Sequence, residues 1–116
     1  MIKRANEMIT DLKHQMRGGT GTVEMTHIFK QDELTGKARL FARVTLNKGC
    51  SIGLHDHETE EEIYYIVQGK AVVNDNGNIS EVSAGDALLT GNGGFHSIEN
   101  KEEEPMVMIA VILLFC

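Results

Sequence analysis

The chain has 116 residues, 41% hydrophobic and 24% charged, the balance of an ordinary globular protein with room for one domain spanning residues 1–116. Eleven Lys and Arg against seventeen Asp and Glu give a net charge of -6, and no basic stretch is dense enough to track a phosphate backbone, so nucleic acid is not an expected partner. The longest apolar run, residues 106–115, is half of the roughly 20 residues a membrane helix needs, and it reads as a buried strand rather than a membrane span.

In chain order, residues 1–4 carry charge but lead into no apolar signal region, so the cytoplasm is the expected compartment. Ile2, Ala5, Met8, Ile9, Leu12 and Met16 recur at three- and four-residue intervals, which fits an amphipathic helix ended by Gly18 and Gly19. The same stretch also fits an extended arm whose apolar residues dock on a neighbouring subunit, and periodicity does not choose between them. Residues 1–20 are therefore expected to form an arm or a helix, and residues 21–116 a β-barrel.

Short stretches rich in β-branched and apolar residues follow at 22–29, 38–47, 63–67, 71–74, 80–82, 87–90, 95–99 and 106–114. Turn residues separate them, notably Asn47-Lys48-Gly49, Asp75-Asn76-Gly77-Asn78 and Gly91-Asn92-Gly93-Gly94, because Gly and Asn tolerate the positive φ of tight turns. Many short strands at regular spacing predict an all-β sandwich or barrel. Cys50 and Cys116 are expected to be free thiols, since a reducing compartment and a Cys-poor chain disfavour a disulfide.

His55 and His57 are two residues apart, so on an extended chain both imidazoles point to one face. Glu62 follows at the start of a strand, and His96 opens the strand after the Gly-rich turn. Three nitrogens and a carboxylate suit one divalent transition metal, Mn, Fe, Ni, Zn or Cu. Such a site leaves coordination positions for water, oxygen or a substrate carboxylate. Glu61 is the runner-up ligand, because a one-residue slip exchanges faces. By the same period of two, Tyr64 and Ile66 share the face of Glu62, and Ile98 and Asn100 that of His96, as pocket candidates. Arg43 joins them if the polar face of its strand turns inward, where its guanidinium matches a carboxylate. His14 and His27 are left out of the site, and Met106 and Met108 are assigned to the core.

These positions resemble the two motifs of the cupin family. Gly49, five residues, His55-Asp56-His57, four residues, Glu62, six residues and Gly69 reproduce the first motif (49–69) without departure. Gly85, five residues, Gly91-Asn92-Gly93, two residues, His96, three residues and Asn100 match the second (85–100), except that Gly91 stands where the family usually has proline. The resemblance implies a double-stranded β-helix (jelly-roll) barrel with His55, His57, Glu62 and His96 as metal ligands. It also implies a homodimer, paired through barrel faces or exchanged terminal strands. Because one barrel hosts many chemistries, two functions are expected. One is a metalloenzyme acting on a small organic acid or carbonyl compound as oxygenase, decarboxylase or isomerase; the other is a non-catalytic small-ligand binder or sensor.

Overall fold

The structure is a computed structural model describing residues 1–115. Its strands are β1 (Ile9–His14), β2 (Thr22–His27), β3 (Ala38–Leu46), β4 (Ser51–His57), β5 (Glu60–Gln68), β6 (Lys70–Asp75), β7 (Asn78–Ser83), β8 (Ala87–Gly91), β9 (Gly94–Glu99) and β10 (Met106–Leu114). They pair antiparallel in two sheets, β1-β2-β3-β10-β5-β8 and β4-β9-β6-β7. Among the described residues the only helical turns are the three-residue segments Ala5–Glu7, Met16–Gly18 and Gln31–Glu33, and no helix is long and apolar enough to cross a membrane.

Strict alternation builds the core. Ala42, Val44 and Leu46 of β3, Met106, Met108, Ala110 and Ile112 of β10, and Tyr64 and Ile66 of β5 are buried on one face of the six-stranded sheet. Ile52 of β4, Ala71 and Val73 of β6 and Ile98 of β9 are buried on the four-stranded sheet, so burial between the two layers is the main stabilising term. Asn100 closes this core at the end of β9. Its amide donates to the carbonyls of Leu46 (2.8 Å) and Glu104 (2.9 Å), and its side-chain oxygen accepts from the Glu102 amide (2.8 Å). The expected hairpin at 75–78 forms with Asn76 and Gly77 at φ 52° and 92°, the two positive values that suit a tight two-residue turn. Cys50 is a buried free thiol; Cys116 lies outside the described residues.

The N-terminal stretch corrects one expectation. It is not a helix: β1 pairs with β2 from Ile9↔His27 to His14↔Thr22. The Thr10 and Thr26 hydroxyls lie 2.7 Å apart, and His14 Nδ1 lies 2.8 Å from the Thr22 hydroxyl. Cross-strand partners such as these override the helical spacing of the apolar residues. The extended alternative holds in part, since the strand pairs within its own chain and extends the barrel sheet to Ile9.

Gly91, the residue in place of the motif's proline, pairs with Glu61 across β8 and β5. A Cβ there would lie 2.5 Å from Glu61 Cβ and 2.7 Å from the Glu60 carbonyl oxygen, so proline has no room at this position. Gly91→Ala is expected to cost about 1–3 kcal/mol in urea denaturation; unchanged stability would refute the close contact.

Candidate metal centre

The cluster depends on a defect in β4. Ile52 pairs with Ile98 and His55 with His96, so Gly53 and Leu54 together oppose the single residue Ser97. This is a β-bulge, which shifts the side-chain phase by one residue. Without it Ile52 and His55 would face opposite sides; with it Ile52, His55 and His57 all turn inward, while Leu54 and Asp56 stay exposed. The inward face of β5 delivers Glu62, and β9 delivers His96 opposite His55.

The four donor atoms converge within 4.8 Å of one another. His96 Nε2 lies 3.0 Å from His55 Nε2, 3.1 Å from His57 Nε2 and 3.0 Å from Glu62 Oε1, and Glu62 Oε1 lies 3.0 Å from His57 Nε2 and 3.8 Å from His55 Nε2. Neutral imidazoles cannot satisfy this arrangement. His55 Nδ1 donates to the Gly53 carbonyl (2.7 Å) and His57 Nδ1 to Glu60 (2.6 Å), which leaves both Nε2 atoms as lone-pair acceptors. A single N–H on His96 Nε2 can face only one of its three neighbours. Nitrogens and a carboxylate at these separations fit a shared cation: with bonds of about 2.1 Å, ligand atoms at right angles lie about 3.0 Å apart.

The surroundings hold these side chains in place. Glu60 receives a two-pronged bond from Arg39, Nε at 2.7 Å and Nη2 at 2.8 Å. That guanidinium, with His57, holds the Glu60 carboxyl at about 2 against its partial burial. Burial alone would raise the carboxyl of Glu62, but the surrounding imidazoles of His55, His57 and His96 outweigh it and keep the group ionised. His57 is drawn upward by Glu62 first, then Glu60. The Tyr64 ring stacks on His96 at 4.8 Å and 10°. Burial, reinforced by the charge of Glu62, pushes the Tyr64 hydroxyl well above its ordinary range, so it stays a neutral phenol. His96 Nδ1 is buried without a hydrogen-bond partner.

A cavity of about 270 Å³ opens onto His55, His57, Glu62 and Tyr64. Of the pocket candidates, Tyr64 lines it. Arg43 does not, because the inward face of β3 is Ala42, Val44 and Leu46, and Arg43 sits exposed opposite Ile109. Ile66 and Ile98 are core residues outside the cavity wall. Glu61, the runner-up ligand, is not in the cluster. Conversely, Lys13, Arg17, His27 and Arg39 line the cavity, and Glu60 orients His57. Nothing in the spacing marks the arginines; Glu60 shares the parity of Glu62, a signal hidden in an acidic run. Glu60→Gln is expected to weaken metal retention by about 10–100-fold in a chelator competition; unchanged retention would show that Glu60 does not support His57.

The cupin domain family matches residues 42–112. A Thermotoga maritima protein named oxalate-binding protein is 46% identical over 114 residues, 98% of this chain and 94% of the relative. A crystal structure from the same organism, described as a predicted oxalate decarboxylase, superposes with a TM-score of 0.93 at 46% identity, covering 98% of this chain and 99% of that one. A sugar phosphate isomerase from Silicibacter pomeroyi, at 19% identity and TM-score 0.67, covers 78% of this chain and 59% of its own, a likeness of fold alone. The two motifs meet at one cluster inside the barrel, the family match runs through both, and the chain belongs to the cupin family.

Proposed function

We propose that this chain, acting as one cupin domain in the cytoplasm, binds a small organic acid on a divalent transition metal held by His55, His57, Glu62 and His96, and acts on it as a metalloenzyme. The observation that carries this is the convergence of four donor atoms that neutral imidazoles leave short of hydrogens, beside a cavity with cationic residues in its wall. A divalent ion there supplies Lewis-acid polarisation of a carboxylate or carbonyl, and a redox-active one also supplies electron transfer. Glu62 contributes the cluster's one negative charge, so the loaded centre stays net positive and favours an anion. Tyr64, neutral and buried beside Glu62, offers an O–H donor to a bound oxygen. Met25, Leu40, Val44 and Ile52 form an apolar wall that excludes water and strengthens these interactions. The oxalate-binding relative supports a small carboxylate as ligand.

Binding without turnover is a second reading, favoured by one observation. The carboxylates lining the cavity are Asp11, paired with His27 at 2.9 Å, and Glu62 in the cluster, so no unengaged carboxylate stands among the described lining residues to carry a proton. Protein purified without added metal or tag is expected to hold roughly one ion per chain, lost in a His55→Ala, His57→Ala variant. Incubated with oxalate and a panel of 2-oxo acids, it is expected to convert at least one, followed by NMR. Bound but unchanged acids would favour the second reading, and a metal-free parent protein that cannot be loaded would overturn both.

The chain is also proposed to act as a homodimer. Tyr65, Val67 and Leu89 are exposed apolar side chains on β5 and β8, with Ile63, Ile109 and Val111 beside them in the pairing register, the kind of patch that marks an interface. Light scattering is expected to give twice the chain mass, falling to the monomer in a Tyr65→Asp, Leu89→Asp variant; a monomeric parent would reject the assembly.

A further inference from the structure

The segment 15–21 is bent by four residues at positive φ: Gln15 (49°), Arg17 (55°), Gly18 (79°) and Gly21 (70°). Two of them carry side chains, which rarely adopt this conformation. The segment is locked against β4. Ser51 N donates to the Thr20 carbonyl (2.8 Å), Thr20 N to Ser51 Oγ (2.8 Å) and the Thr20 hydroxyl to the Gly49 carbonyl (2.7 Å). A Cβ on Gly53 would lie 2.1 Å from the Arg17 carbonyl oxygen, and one on Gly19 2.2 Å from that of Ser51. The two facing glycines permit an approach that no other residue would allow. The glycine that admits Arg17 also sits in the bulge that aims His55, so the loop and the metal cluster share one piece of backbone.

This packing brings Arg17 into the wall of the cavity that holds His55, His57, Glu62 and Tyr64. The other basic residues of the wall differ in kind. Arg39 is committed to Glu60 through two bonds, and His27 to Asp11. Among the described residues, Arg17 and Lys13 have no carboxylate partner. Arg17 has the planar fork that fits a carboxylate's two oxygens, whereas Lys13 offers a flexible point charge. Backbone held in a sparsely populated conformation beside a ligand cavity is a common mark of a functional residue.

We infer that Arg17 anchors the second carboxylate of a metal-bound dicarboxylate, which makes the site selective for dianions over monoanions of the same shape. This rests on the carboxylate-binding function proposed above. Oxalate and oxamate test it, because they share a shape but oxamate has an amide in place of one carboxylate. With metal-loaded protein in calorimetric titrations, the parent is expected to bind oxalate more tightly than oxamate. Arg17→Gln is expected to lose roughly tenfold or more in oxalate affinity, with oxamate affinity and metal content little changed. Arg17→Lys, which keeps the charge without the fork, is expected to fall between them. Oxalate affinity that is unchanged in Arg17→Gln, or a loss equal for both ligands, would overturn the assignment alone. Binding of neither ligand by the metal-loaded parent would overturn the carboxylate-binding function and this assignment with it.

Discussion

Three imidazole nitrogens and a carboxylate oxygen crowd into a buried space in which His96 Nε2 has three acceptors about it at 3.0–3.1 Å. In a low-dielectric interior such a gathering of lone pairs is repulsive unless a cation sits among them. The barrel bears this local cost because the layers around it are built mainly from buried apolar side chains. The bulge at Gly53 and Leu54 and the Arg39–Glu60–His57 chain both serve to keep the nitrogens aimed at one point. Loss of the bulge would carry His55 to the far face of β4, and loss of Glu60 would free His57 to choose the other tautomer.

The same bulge explains why the N-terminal segment belongs to the site. Gly53 is the position at which β4 departs from regular pairing with β9, and the Arg17 carbonyl fills the space left by its missing side chain. The strand β1 then runs along β2 and turns Asp11 and Lys13 toward the cavity. An otherwise open end of the barrel thereby acquires a polar wall supplied by residues distant in sequence from the histidines.

Much of the β architecture and the gathering of His55, His57, Glu62 and His96 was legible in the sequence because both rest on short-range regularities. The alternation in 38–47, the unbroken apolar run of 106–114 and the Asn-Gly turn at 76–77 reflect local stereochemistry, and the His55, His57, Glu62 and His96 spacing matches a known pair of motifs. What escaped depends on non-local pairing. The 1–16 stretch has apolar residues at helical intervals, yet its fate is decided by hydrogen bonds to β2, and pairing of that kind leaves no trace in periodicity. Arg43 and Arg17 illustrate the same point from opposite sides. Arg43 sits on a strand whose inward face could be taken either way until its neighbours were known. Arg17 reaches the cavity only through a bent loop and two glycines on separate segments.

The boundary between binding and catalysis in this barrel runs through its supply of protons. Decarboxylation of oxalate to formate and carbon dioxide consumes one proton, so a catalytic cavity needs a group able to deliver it at the reacting carbon. Asp11 is held by His27, Glu62 stays ionised among the histidines, and Arg39 and Glu60 neutralise each other. Tyr64 is a buried phenol whose burial makes it a reluctant acid but a firm hydrogen-bond donor. A donor of that kind stabilises a bound anion without giving up its proton. A proton for turnover would therefore have to come from water in the cavity or from the unpaired Lys13 of its wall.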